Sequence, residues 1–426
     1  MTHPASAVLL GRMMALHPSV IDMSLGRMER LLASLGNPQN ALPPVIHIAG
    51  TNGKGSTQAM LRAAFRAAGL GVHCYTSPHL VRFHERIVLS DTQISEPALA
   101  HVLEATLAAN DGGSITYFEA TTAAALLAFA NAPADVLLLE VGLGGRLDAT
   151  NVIDAPLLTI ITPVDLDHQE YLGPTLTDIA TEKAGIMKRG VPCVVGPQKP
   201  EAMDVIEAAA ARLGVPLLAQ SQQWHVWTER GRLIYQDERG LLDLPLPALR
   251  GAHQISNAGM AIAALRHLEH DEATIEAALT GAHWPARMQR LGTGPLSDAA
   301  PEAELWLDGG HNPAAGLALA AVLADLPARP TWLVTGMLAG KDSLGFLTPL
   351  ARHAAGMIAV PVAGVDNGHA PETLAQMAQG LGLDAATESS VPDALLRIVA
   401  HTPDARVLIC GSLYLAGAVL ALDPEA

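Results

Sequence analysis

Residues 45–57, VIHIAGTNGKGST, run from an apolar stretch into three glycines and a lysine. Glycines let backbone N–H groups curl around phosphate oxygens, and a helix that starts there adds partial positive charge. Lys54 would supply a point charge to the terminal phosphates. The spacing departs from G-x-x-x-x-G-K-[ST], because Gly55 takes the usual hydroxyl position and Ser56 follows it. The pattern predicts a phosphate-binding loop; the alternative is an ordinary strand-to-helix turn.

A carboxylate ends a second apolar run. VLLLE finishes at Glu140, and a glycine-rich segment, residues 141–151, follows it. Parallel α/β sheets bind ligands at the carboxyl ends of their strands. Mg²⁺ prefers hard oxygen ligands, so Glu140 is a candidate ligand for the ion that accompanies a nucleotide. The alternative is a surface glutamate in a glycine turn.

A histidine occupies the loop after another apolar run. His168 lies in residues 161–173, beside Asp165 and Asp167. An imidazole in this position is either a metal ligand or a structural residue. The residues alone leave both interpretations open.

A helix is predicted over residues 175–190. Thr175 and Asp178 have the spacing of a capping box, and Gly190 is expected to end the helix. Lys183 falls on the apolar stripe, where a lysine is costly unless it is paired, neutralised or modified. The pattern places Lys183 against the phosphate or metal site; the alternative is a side chain that extends to solvent.

Short apolar runs alternate with helical patterns in the first half of the chain, which predicts a parallel sheet covered on both faces. The predicted strands are 45–49, 72–76, 136–141, 157–161 and 191–195, and the predicted helices are 56–68, 97–109, 120–131 and 201–213. Residues 224–247 are typical of a small antiparallel appendage. A helix is expected near 254–268.

A second alternation of strands and helices begins near residue 304. Residues 292–303, GTGPLSDAAPEA, have the composition of a linker. The expected organisation is therefore a large P-loop-type domain, residues 1–295, and a smaller Rossmann-like α/β domain, residues 296–426.

Charge and cysteine content exclude several classes of protein. With 26 Lys and Arg against 42 Asp and Glu, the net charge is −16. Nucleic-acid binding and a polybasic membrane surface are therefore not expected. Three widely spaced cysteines form no metal-binding pair, and no apolar run approaches the ~18 residues of a membrane span. A cytoplasmic protein is expected.

Many segments together resemble one known family. They are GTNGKGS (50–56), SPHL (77–80), RFHERI (82–87), TYFEA (116–120), LEVGLGGRLDATN (139–151), DHQEYLG (167–173), EKAGIMK (182–188), ARMQ (286–289), DGGHNP (308–313), GMLAGKD (336–342) and GSLYLAG (411–417). In this order they resemble folylpolyglutamate synthases, which in bacteria are usually also dihydrofolate synthases, within the Mur ligase superfamily. The resemblance extends from about residue 21 to residue 417.

The resemblance implies an ATP-dependent amide ligase. ATP would phosphorylate the carboxylate of dihydropteroate or of a folate, and the amine of L-glutamate would then attack the acyl phosphate. Phosphorylation turns a poor electrophile into one with a leaving group, and catalysis is then positioning and charge neutralisation. The family also implies ATP, two Mg²⁺ ions and a monomer.

The resemblance also implies roles for individual residues. The ATP phosphate loop would be Thr51, Asn52, Gly53, Lys54, Gly55 and Ser56, with Asn257, Arg287 and Asp308 as further nucleotide contacts. Ser77 and Glu140 would hold one Mg²⁺ and His168 the second, while Lys183 would carry a carbamate beside them. His311 would serve catalysis, and Ser412 would contact the incoming glutamate or the nucleotide. The pterin side would include Asp22, within the loop of residues 21–28, and Tyr117, Phe118, Glu119, Leu147, Asp148 and Ala149.

Three other functions remain open from the sequence. A folylpolyglutamate synthase without the dihydropteroate step is one, although the TYFE and RLDATN segments favour the bifunctional form. A cell-wall Mur ligase shares the phosphate loop but leaves the pterin-side segments without a role. A nucleotide-binding switch is the third, and glutamate-dependent release of phosphate from ATP would exclude it.

Overall fold

The computed structural model describes residues 4–17 and 24–422. The chain forms two compact units. The first runs through Ala248 and includes Ile255–Ala282, and the second contains Leu249–Gln254 and the chain from His283 onward. Within the described residues, no helix is both long enough and apolar enough to span a bilayer.

The first unit alternates strands with helices. In chain order it contains α1 (Ala5–Ala15), α2 (Gly26–Ser34), β1 (Val45–Ala49), α3 (Lys54–Ala67), β2 (Val72–Tyr75), β3 (Ile87–Leu89), β4 (Thr92–Gln93), α4 (Glu96–Asn110), α5 (Tyr117–Ala130), β5 (Val136–Glu140), β6 (Leu158–Ile161), α6 (Gln169–Leu172), α7 (Leu176–Ala184), β7 (Cys193–Val195), α8 (Pro200–Leu213), β8 (Leu217–Ala219), β9 (Trp224–Glu229), β10 (Arg232–Asp237), β11 (Gly240–Leu244), α9 (Ala252–His267) and α10 (Glu272–Thr280). Short 3₁₀ turns lie at Pro38–Ala41 and Phe83–Arg86.

The main sheet of this unit has the strand order β4-β3-β2-β5-β1-β6-β7-β8. All of β1 and β5 is buried, as the continuous apolar runs predict for a parallel strand covered on both faces. β1 is central and pairs in parallel with both β5 and β6. Because parallel strands end at the same edge, the segments after β1, β5 and β6 lie side by side. The predicted mostly parallel sheet is confirmed.

An antiparallel sheet of β9, β10 and β11 forms the predicted appendage. The antiparallel strands β3 and β4 at the edge of the main sheet were not predicted from the sequence. They contain only three and two residues, which is too short for an alternating pattern to stand out.

The second unit is a smaller α/β fold. It contains β12 (Gln289–Leu291), α11 (Pro295–Ala299), β13 (Glu304–Leu307), α12 (Pro313–Asp325), β14 (Thr331–Thr335), α13 (Ser343–Ala351), β15 (Gly356–Ala359), α14 (Pro371–Gly380), β16 (Asp384–Thr387), α15 (Val391–His401), β17 (Arg406–Cys410) and α16 (Leu413–Leu422). Its sheet has the order β12-β13-β17-β14-β15-β16, and only β12 is antiparallel to its neighbour.

Residues 283–295 group with the second unit, whereas the sequence placed them with the first. The reason is that β12 pairs with β13 of the second sheet. The segment expected to be a linker contains α11, which starts with a proline at its first turn.

The helix predicted over residues 175–190 ends at Ala184, so Gly190 is not its stop. The predicted capping box is present, since Thr175 Oγ1 accepts from the Asp178 N–H and the Asp178 carboxylate accepts from the Thr175 N–H. The early end follows from packing. The Arg146 N–H donates to the Glu182 carbonyl at 2.7 Å, and a Cβ at Gly185 would lie 2.3 Å from Arg146 Cβ.

Candidate active site

The turn between β1 and α3 has the backbone of a tight glycine loop. Gly53 precedes the helix with φ = 89°, and α3 begins at Lys54. Gly50 has φ = 147°, and a Cβ there would lie 1.8 Å from Thr162 Oγ1. Glycine is therefore required at both positions, and the N-terminus of α3 opens at the carboxyl edge of the central strand.

Lys54 is directed back across this loop. Its Nζ donates to the carbonyls of Gly50, at 3.1 Å, and Thr51, at 3.4 Å. Glu140 Oε1 lies 3.9 Å from the same nitrogen, and both side chains are largely buried. Glu140 reaches this point because it is the last residue of β5 and pairs in register with Ile48. The lysine and the acid predicted from separate motifs therefore share one site.

Thr51 anchors the loop. Its hydroxyl donates to the Asp165 carbonyl and accepts from the Asp165 N–H, each at 3.0 Å. Its own N–H donates to the carbonyl of Pro163, also at 3.0 Å. These bonds fasten the turn after β1 to the segment after β6, and a phosphate contact by Thr51 stays a prediction.

Asn257 lies against the same loop although it is distant in sequence. A Cβ at Gly53 would lie 2.4 Å from Asn257 Oδ1. Asn257 is buried on α9, and Ser56 is buried in the first turn of α3. The structure therefore brings a residue predicted to bind nucleotide to the phosphate loop.

Lys183 is buried, with 5% of its surface exposed, so its side chain does not extend to solvent. Its Nζ donates to the Gly50 carbonyl at 2.9 Å, the same oxygen that accepts from Lys54. Burial, and to a smaller extent the nearby positive charge of Lys54, lower the pKa of Lys183 to about 7 against the opposing charges of Asp167 and Asp148. A large fraction of this amine is therefore neutral at physiological pH.

Two further predicted metal ligands lie in loops of this unit. Ser77 follows β2, and β2 is the neighbour of β5. His168 precedes α6 with φ = 52°, and its ring is partly exposed, 3.9 Å from Asp167 Oδ2. In the part of the chain that the structure describes, no group of three His, Cys, Asp or Glu side chains is placed to hold a metal alone. A metal here would need the serine hydroxyl or a modified lysine as well.

The predicted pterin-side residues meet beside the glycine-rich segment that follows β5. A Cβ at Gly142 would lie 2.2 Å from the Phe118 ring, so this aromatic side chain lies directly on the backbone of the segment. The rings of Phe118 and Tyr75 are 6.3 Å apart. Tyr117 and Phe118 occupy the first turn of α5, and Ala149 is buried in the core below.

Asp148 holds the glycine-rich segment in shape. Its Oδ1 accepts from the Thr150 N–H at 3.0 Å and from the Thr150 hydroxyl at 2.5 Å, while Oδ2 accepts from the Leu143 N–H at 2.8 Å. Burial raises the pKa of this carboxyl, and the hydrogen bonds oppose that rise. Asp148 therefore closes the segment around Leu147; a direct contact of either residue with a substrate stays a prediction.

Glu119 forms an ion pair that the sequence did not predict. Arg27 Nε and Nη2 donate to its two oxygens at 3.0 and 2.9 Å. The Thr116 N–H donates to the same carboxylate at 2.8 Å and completes a capping box for α5. The T-x-x-E pattern at 116–119 could have revealed the cap, but nothing in the sequence identifies Arg27. Glu119 fixes the start of α5, and with it the two aromatic residues beside it.

We expect Glu119→Gln to lower the free energy of unfolding by roughly 1.5–3 kcal/mol, because a charge-assisted pair that is mostly buried is lost. A urea titration measures this change. As a control, Arg232→Ala removes the exposed ion pair with Asp243 and should cost no more than about 1 kcal/mol. Equal midpoints for the two variants would contradict the role assigned to Glu119.

The remaining predicted residues belong to the second unit. Asp308 follows β13, and its carboxylate accepts from the N–H groups of Met288 and Gly310 at 2.8 and 2.7 Å. A Cβ at Gly309 would lie 3.0 Å from Arg287 Nη1, which places that arginine beside the same turn. His311 Nδ1 is 3.1 Å from the Gly309 carbonyl oxygen. Ser412 follows β17, the neighbour of β13, and its hydroxyl accepts from the Tyr414 N–H.

The structure thus brings most of the predicted residues to the carboxyl edges of the two sheets, one group in each unit. Asp22, predicted on the pterin side, lies outside the described residues. The sequence did not identify Arg27, Thr162 or Thr150 as part of the site. Arg27 and Thr162 contact residues that are distant in the sequence, and Thr150 contacts Asp148 within a loop.

Known proteins share both units. A family model described as Mur ligase middle domain matches residues 48–265, and one described as dihydrofolate synthetase, C-terminal domain, matches residues 296–422. The folylpolyglutamate synthase of Lacticaseibacillus casei is 34% identical over 414 residues, covering 92% of each chain. The dihydrofolate synthase/folylpolyglutamate synthase of Escherichia coli strain K12 is 35% identical, covering 94% of this chain and 91% of that protein.

A solved structure of a bifunctional folylpolyglutamate synthase/dihydrofolate synthase with Mn, AMPPNP and L-glutamate bound has a TM-score of 0.87 at 33% identity. It covers 99% of this chain and 98% of its own. The fold and the phosphate loop define the class, that of Mur ligases. Within this class, the chain belongs to the dihydrofolate synthase/folylpolyglutamate synthase family, which confirms the resemblance seen in the sequence.

Proposed function

We propose that this protein joins L-glutamate to dihydropteroate and to folates in an ATP-dependent reaction that passes through an acyl phosphate. One observation carries the proposal: two lysines, Lys54 and Lys183, donate to the same carbonyl of the phosphate loop, and the buried Glu140 carboxylate lies beside them. This cluster offers charges of both signs at the edge of the sheet where a nucleotide and the acid to be activated would meet.

The Lys54 ammonium neutralises negative charge on the β- and γ-phosphates during phosphoryl transfer. In the present structure its Nζ is held by two backbone carbonyls and lies 3.9 Å from Glu140 Oε1. The N–H groups at the start of α3 add further donors. These groups have their largest effect on the transition state, where charge spreads over the phosphoryl oxygens.

Lys183 carries a carbamate in the active protein. Carbamate forms when a neutral amine attacks CO₂ and then loses a proton, and burial keeps much of this amine neutral near pH 7. The modification also removes the cost of a buried ammonium. Gly50 fixes the nitrogen in place, so the new carboxylate would extend from a held position.

The residues present fit a divalent metal. The buried Glu140 carboxylate, the Ser77 hydroxyl and the carbamate are the hard oxygen donors that Mg²⁺ takes, and His168 adds a ring nitrogen. When bound, the ions neutralise phosphate charge and help to orient the reacting groups. The relative bound to Mn and AMPPNP supports the assignment of ATP with a divalent metal.

The acid substrate binds beside Phe118 and the segment that Asp148 closes. The ring of Phe118 lies on Gly142, so a flat aromatic ring system can pack next to it while Asp148 and its neighbours offer polar contacts. Tyr117 and Leu147 are further contacts on this side, and a contact by Asp22, outside the described residues, stays a prediction. In the second unit, Asp308, Arg287, His311 and Ser412 serve the nucleotide and glutamate.

The function is tested by product mass. The protein is incubated with MgATP, dihydropteroate and L-glutamate, and we expect dihydrofolate, ADP and phosphate in equal amounts. Phosphate release without an amide product would leave only a nucleotide hydrolase or switch. A reduced folate in place of dihydropteroate tests the second activity, and a chain active on folate alone would be a folylpolyglutamate synthase without the first step.

We expect Gly142→Ala to raise the KM for dihydropteroate at least tenfold while the affinity for ATP stays within about twofold. The added Cβ would overlap the Phe118 ring, so the ring must move. Steady-state kinetics with each substrate varied in turn measures both effects. Gly340→Ala is the control, because nothing lies within 4 Å of a Cβ at that position. An unchanged KM for dihydropteroate in a folded Gly142→Ala variant would remove Phe118 from the substrate site.

A further inference from the structure

Arg86 is a buried cation that the proposed mechanism leaves without a role. It ends the 3₁₀ turn that precedes β3, and only 8% of its surface is exposed. Its Nε donates to His79 Nδ1 at 2.9 Å, and its guanidinium carbon lies 5.3 Å from the centre of the Phe83 ring. Among the described residues, no carboxylate forms an ion pair with it.

The nearest acid in the sequence is already engaged. Glu85 accepts from the N–H groups of Leu80, Val81 and Arg82, at 2.7, 2.8 and 2.5 Å, and thereby shapes the preceding loop. A buried guanidinium without an anion is costly. Because Nε is held by His79 and one face by Phe83, the two terminal nitrogens are left as a fixed fork, which suits a carboxylate.

The sheet places Arg86 on the side of the acid substrate. The residue after it, Ile87, pairs with Tyr75, whose ring is 6.3 Å from that of Phe118. Ser77 lies two residues beyond Tyr75. The Arg86 carbonyl accepts from the Thr76 N–H at 3.1 Å, so Arg86 lies beside Ser77, the proposed metal ligand, as well as near the aromatic side chains.

We propose that Arg86 binds the carboxylate of the acid substrate, the group that ATP activates, and that His79 holds the guanidinium in position. This inference rests on the proposed function. It assigns the RFHERI and SPHL segments a task in substrate binding, and it places a fixed positive charge where a carboxylate must approach the negative phosphates of ATP.

The test is equilibrium binding in the absence of ATP, with dihydropteroate and its neutral carboxamide as probes. We expect the wild-type protein to bind the acid at least tenfold more tightly than the amide. Arg86→Gln should weaken binding of the acid at least tenfold, change binding of the amide less than threefold and so abolish the preference. Arg82→Gln, an exposed arginine of the same segment, is the matched control and should keep the preference.

Several results would overturn the inference. If the wild-type protein binds the acid and the amide equally, the inference is wrong. This result needs no variant, so the proposal can be tested even if Arg86→Gln does not fold. An Arg86→Gln protein that keeps the preference, or loses affinity for ATP instead, would assign the arginine elsewhere. If the wild-type protein binds neither probe and forms no amide product, the proposed function itself fails, whereas product formation without an acid preference sinks this inference alone.

Discussion

Lys54→Ala should lower turnover by about 10²–10³-fold, the range seen when one preorganised donor to a transition state is removed. The lysine lies at the start of α3 with its Nζ over the loop carbonyls. Its charge has most effect as the phosphoryl group moves, so turnover should fall far more than affinity for ATP. Turnover is measured by product formation, and ATP affinity by equilibrium titration.

The stability of Lys54→Ala should change by no more than about 1–2 kcal/mol, since the lost bonds go to two loop carbonyls and the carboxylate is 3.9 Å away. Lys199→Ala removes an exposed ion pair with Asp165 and serves as the control for loss of a lysine charge. Near-normal turnover in a folded Lys54→Ala protein would exclude Lys54 from phosphate chemistry.

Lys183→Ala should be folded and nearly inactive, with a loss at least as large as that of Lys54→Ala. The residue is buried and bonded to Gly50, and its pKa is lowered to about 7, so that the neutral amine needed for carbamate formation is present near pH 7. Lys183→Arg keeps a positive charge but cannot form the carbamate, so it should be equally inactive. Turnover of both variants is measured with and without acetate, which we expect to restore part of the activity of the alanine variant only.

Removal of CO₂ provides the matching experiment on the wild-type protein. Activity should fall on depletion and return when bicarbonate is added. Because the pKa of Lys183 is lowered to about 7, the neutral amine becomes more abundant as pH rises through 7, and reactivation should become faster in that direction at fixed dissolved CO₂. Full activity of Lys183→Ala, or an intact mass without the added carbamate in fully active native protein, would contradict this role.

Continuous apolar runs in the sequence predicted the positions of the central parallel strands. The range 45–49 was predicted from the sequence with the bounds that β1 has. The missed strands lie at sheet edges or pair outside the expected domain, as β12 does. Their residues carry no periodic signal, because their pairing is decided by a partner strand elsewhere in the chain.

Site residues could be predicted from the sequence where they belong to a short continuous motif. The glycine loop, Glu140 and the inward-facing Lys183 each follow from a few adjacent residues. Local patterns did not show that Lys54 and Lys183 share the Gly50 carbonyl, or that Arg27 pairs with Glu119. Such contacts depend on the way in which separate loops meet after folding, and a single sequence carries no direct record of them.

The central claim is that ATP activates the carboxylate of the acid substrate, and transfer of an oxygen isotope tests it most directly. Dihydropteroate labelled with ¹⁸O in its carboxylate is incubated with the protein, MgATP and L-glutamate. Formation of an acyl phosphate predicts that the released phosphate carries one ¹⁸O atom for each amide bond formed and that ADP carries none. Unlabelled phosphate accompanying labelled amide product would contradict the account.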